Sequence, residues 1–66
     1  MATRTNARER VYRYIAGRKT PVTRAEIVRG TGIKENTVNP RVAELLRDEW
    51  VAEVGVRGDR STLVAL

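Results

Sequence analysis

Cysteine and histidine are both missing from the 66 residues of this chain. Without thiols there is no disulfide framework and no thiolate metal site, and nothing ties the protein to an oxidising compartment. Histidine and cysteine are also the commonest general base and a common nucleophile, and the carboxylates are scattered rather than paired, so no enzymatic activity is expected. Hard cations need clustered carboxylates, and only Asp48 and Glu49 adjoin, so neither metal nor cofactor is expected. No apolar run approaches the ~20 residues of a membrane-spanning helix, and the N-terminus lacks the apolar stretch of a signal peptide. The expectation is a cytoplasmic protein with no membrane partner. A second domain is excluded by length, since a chain this short buries only about 60% of its unfolded surface. Residues 1–66 are read as one domain, with 1–5 flexible.

Acidic residues are the other scarcity. Thirteen Lys and Arg face eight Asp and Glu, a net charge of +5, which marks a single small domain as a candidate polyanion binder. The excess is placed early. Residues 1–24 hold seven basic residues and Glu9 alone, a local charge of +6, and the remaining six basic and seven acidic residues sum to −1. Apolar residues make up 41%, enough for a packed core.

Asn6 and Glu9 have capping-box spacing, and Ala7, Val11, Tyr14 and Ile15 follow at the repeat of an amphipathic helix, predicting helix one over 7–16 with Gly17 at its end. Pro21 favours extended backbone before it, so a very short strand is expected near Pro21–Thr23. Thr23 and Glu26 form a second capping box, with Val22 and Ile27 as its hydrophobic staple, so helix two starts at Arg24. Gly30 and Gly32 are expected to end it and turn the chain. Val38, Val42, Leu45 and Leu46 set a third helix over about 35–48, with a distortion expected near Asn36–Pro40 because proline lacks the helical N–H. Residues 50–56 and 62–66 are β-prone, and Gly58-Asp59 between them suits a tight hairpin turn. The fold class predicted is α+β: three helices followed by a two-stranded β-hairpin.

With Val38, Val42 and Leu45 facing the core, the opposite side of helix three carries Asn36, Pro40, Ala43 and Arg47, flanked by Thr37, Asn39, Arg41 and Glu44. Asn pairs with adenine edges, Arg with guanine edges, and Thr reaches a base or a thymine methyl, which makes this a candidate major-groove surface. Lys34 at the helix entrance and Arg24 at the start of helix two suit phosphate oxygens, as do Arg57, Arg60 and Ser61 around the hairpin turn. Plainer roles compete: Asn36, Thr37 and Asn39 could only polarise a helix start, Arg41 could pair with Glu44 or Glu35, and the hairpin charges could only solubilise. Trp50 and Tyr14 are expected in the core, with Tyr12 exposed or at a contact between copies.

Residues Ala25 to Val51, with Thr31-Gly32-Ile33, Asn36 to Val42, Leu45-Leu46 and Trp50-Val51, resemble the MarR-like winged helix-turn-helix domains of bacterial and phage regulators. The resemblance implies that helix three is the recognition helix and the hairpin the wing, and that the partner is double-stranded DNA. Glu49 departs from the pattern, because the family usually has Gly there, in a left-handed exit from helix three. The implied role is a transcription regulator, such as a repressor acting as a homodimer. Two other roles use the same fold: an architectural or excision factor on DNA, and a winged helix that binds another protein. The last should show an exposed apolar patch.

Overall fold

The computed structural model describes residues 6–66; the flexible segment expected over 1–5 lies outside the described residues. The elements run α1 (Ala7–Ala16), α2 (Arg24–Thr31), α3 (Glu35–Arg47), β1 (Val51–Arg57) and β2 (Arg60–Ala65). Only half of the first capping box forms. The Asn6 side chain accepts from the Glu9 N–H at 2.8 Å, but the Glu9 carboxylate turns to Arg13, one turn on, at 2.6 Å. The second box is complete: Thr23 Oγ1 accepts from the Glu26 N–H, and Glu26 Oε1 accepts from the Thr23 N–H at 3.0 Å.

Of the two glycines expected to end α2, Gly32 does so. It runs through Gly30 to Thr31, and Gly32 takes the left-handed conformation (φ 75°) with its N–H on the Val28 carbonyl. Gly30 is needed for a different reason: a Cβ there would stand 2.2 Å from the Tyr14 ring, so its bare backbone is what lets α1 and α2 approach. The Thr31 hydroxyl stitches the turn, donating to the Ile27 carbonyl at 2.7 Å and accepting from the Ile33 N–H at 3.2 Å. α3 runs without interruption through Pro40, so whatever distortion the proline introduces near Asn36–Pro40 does not break the helix. Pro40 lies on the exposed side, where water can reach the Asn36 carbonyl that loses its helical donor.

The core is entirely aliphatic: Val11 and Ile15 from α1, Ile27 from α2, Val38, Val42 and Leu45 from α3, and Val22, Val51 and Leu63 from extended segments. Burying each such side chain contributes about 1.5–3 kcal/mol of transfer free energy. Tyr14 is half-buried against this core, but Trp50, expected inside it, is 56% exposed. The reason is where the chain leaves α3. Trp50 N–H bonds the Leu45 carbonyl and Glu49 N–H the Leu46 carbonyl, a Schellman closure that leaves Val51, the next residue, to enter the core.

β1 and β2 pair antiparallel from Val51↔Ala65 to Arg57↔Arg60, with a bulge at Val54 between the Glu53↔Leu63 and Gly55↔Thr62 pairs. Gly58 and Asp59 form the two-residue turn; positive φ at Gly58 alone (68°) is the pattern of type II′. On its other side β2 meets the α1–α2 connector, where Val22 and Leu63 exchange both backbone hydrogen bonds, at 3.0 and 2.7 Å. The short strand near Pro21–Thr23 is this bridge. Three helices, a glycine turn between the second and third, and a terminal hairpin braced by a strand after α1 make a winged helix-turn-helix.

Candidate nucleic-acid interface

α3 presents its outer face because Val38, Val42 and Leu45 hold the inner one in the core. Lys34, Asn36 and Asn39 are exposed there, with Pro40, Ala43 and Arg47, and Thr37 is half-buried. No side chain caps the N-terminus of α3; the Thr37 N–H donates to the Lys34 carbonyl at 2.9 Å, which leaves the Glu35 and Asn36 N–H groups to meet an anion. Glu35 stands exposed in the same turn and opposes a phosphate there.

The candidate cations divide into bound and free. Arg41 is half-buried and lies against Glu44 at 2.8 Å, the pairing open to it from the sequence; its Nε is buried without a partner. Arg24 faces Glu53 of β1 at 3.7 Å. Arg57 does not reach out from the wing tip: its guanidinium folds back onto Glu26 Oε2 and donates to the Pro21 carbonyl at 2.8 Å. Arg60 is exposed with no ion pair among the described residues, and Ser61 is half-buried beside it. Lys34, Asn36, Asn39 and Arg60 are therefore the candidate residues whose side chains stay available to a partner.

Glu26 ties α2 to the connector before it and to the wing, because its two carboxylate oxygens serve the Thr23 cap and Arg57 of β1. The Thr23 N–H bound to it, reinforced by Arg57 beside it, holds its carboxyl below the ordinary range. This link was invisible in the sequence, since Glu26 reads there only as a capping residue. Also unforeseen is a cleft of about 340 Å³ lined by Arg18, Arg29 and the paired Arg57 and Glu26, along Tyr14 and Gly30. Arg18 lies 5.5 Å over the Tyr14 ring, a cation–π contact. The residues of this cleft come from four segments with no common spacing.

No helix among the described residues is long and apolar enough to cross a membrane. The chain matches no family model, no curated protein and no solved structure.

Proposed function

We propose that this chain binds double-stranded DNA, with α3 in the major groove and the wing along the flanking backbone, and that it regulates transcription, as a repressor that occludes a promoter does. The observation that carries the reading is the outer face of α3: Asn36 and Asn39 are exposed, play no part in the core, and sit on a domain whose net charge is +5. Asn at such positions reads adenine, and Lys34 and Arg60 at the margins hold phosphate without reading sequence. The MarR-like pattern of Ala25 to Val51 supports the same assignment. In this reading the protein is cytoplasmic, has no catalytic activity, and acts as two copies on a two-fold site.

The test is fluorescence anisotropy on labelled duplexes across a salt series. Affinity should fall steeply with salt, Arg60→Ala should weaken all duplexes alike, and Asn39→Ala should erase preference for the best duplex found by selection. Absence of binding at low salt would overturn the reading.

One observation favours a second reading, a winged helix that engages protein: Trp50 and Leu66 are exposed apolar residues. Salt-insensitive binding to a protein partner, with no DNA affinity, is its signature.

A further inference from the structure

We propose that the groove between Tyr12 and Trp50 is where two copies of this chain associate. Trp50 is the largest apolar side chain in the sequence, yet it lies more than half exposed, its ring edge-on to Tyr12 with centroids 5.5 Å apart and planes at 81°. The groove beside them, of about 320 Å³, has Leu45 in its lining and Arg8, Glu9 and Asp48 around it. Leu66, 70% exposed, extends the apolar surface, its N–H bonded to the Trp50 carbonyl at 2.9 Å. Aromatic side chains in a small apolar patch with a polar rim are what carries binding energy at protein interfaces.

The rim identifies the occupant as a second copy. Arg8 stands on α1 with no carboxylate partner among the described residues, and Asp48, just past α3, has only a 3.4 Å contact with its neighbour Arg47. A two-fold axis through the groove brings Arg8 of each copy towards Asp48 of the other, closing two ion pairs around the paired indoles. Association here leaves the Lys34–Asn39 end of the candidate DNA face open. Asn36 and Arg47 are separated by about 16 Å along the helix at 1.5 Å per residue, and Trp50 lies beyond the far end.

The inference rests on the two-copy part of the proposed function and is tested apart from DNA binding. Sedimentation velocity over the micromolar range, read with the emission of the single tryptophan, should show a dimer whose indole emission shifts to the blue as concentration rises. Trp50→Ser should weaken dimerisation by roughly tenfold or more. Arg8→Asp alone and Asp48→Arg alone should each weaken it, and the double charge swap should restore it, a readout that holds even if Trp50→Ser does not fold. A wild-type monomer throughout, or a dimer indifferent to all these changes, overturns the proposal. A monomer that still binds DNA leaves the DNA reading standing, and a dimer without DNA affinity does the reverse.

Discussion

Glu49 leaves α3 with φ at 63°, a conformation that L side chains other than Asn and Asp rarely adopt. The two hydrogen bonds of the Schellman closure hold it there, so the helix end is stabilised at the cost of a strained residue. Replacing it with glycine keeps the closure and removes the strain. Glu49→Gly should raise the unfolding free energy by about 1 kcal/mol, seen as a higher urea midpoint with an unchanged slope. Glu26 gives the opposite sign. Its folded carboxyl titrates below its unfolded value, so its stabilisation is present above the ordinary carboxylate range and is lost as pH falls through the depressed folded value. Glu26→Gln should therefore melt at a lower temperature than wild type at neutral pH, and the difference should shrink as pH falls through the depressed folded value, where the wild-type carboxylate protonates as well. Equal melting temperatures for the two proteins at neutral pH would show that the carboxylate bridge contributes nothing.

Among the elements, the hairpin is held by one residue more than by any other. Leu63 is fully buried, pairs Glu53 on one side and exchanges hydrogen bonds with Val22 on the other. Leu63→Ala should cost about 2–5 kcal/mol, a large fraction of the stability of a domain this small, measurable as a lower melting temperature by circular dichroism. The helices and the wing were legible in the sequence because their signals are local: the Thr23–Glu26 box, the spacing of Val38, Val42 and Leu45, and Gly58-Asp59 each act within a few residues. What failed was local evidence for a non-local fact. Trp50 looked like core because it opens a β-prone run, but the left-handed turn at Glu49 sends Val51 inward in its place. Arg57 looked like a wing-tip cation, yet its partner is Glu26, from another element, and no spacing rule connects the two. Gly30 read as a helix stop, although the crowding of Tyr14 is what requires it.

At the scale of the whole molecule, five guanidiniums among the described residues are engaged by carboxylates, those of Arg13, Arg24, Arg41, Arg47 and Arg57. Apart from Arg57, which with Glu26 also ties the wing to the α2 cap and to Pro21, exposed pairs of this kind contribute little to stability, but each lowers the charge available to a polyanion. The salt dependence of DNA affinity should separate the two groups. Arg60→Ala and Lys34→Ala should each reduce the slope of log affinity against log salt by about 0.9, the value of one lost phosphate contact. Arg57→Ala should leave the slope unchanged and lower the melting temperature instead, because its charge is already spent on Glu26 and Pro21. The Val22–Leu63 bridge joins the connector after α1 to the last strand of the chain. The bridge therefore couples the helical part of the domain to the hairpin, and the two are expected to open together. The amide protons of Val22 and Leu63 should then exchange with solvent only through global unfolding, on the same clock despite the distance between them in the chain.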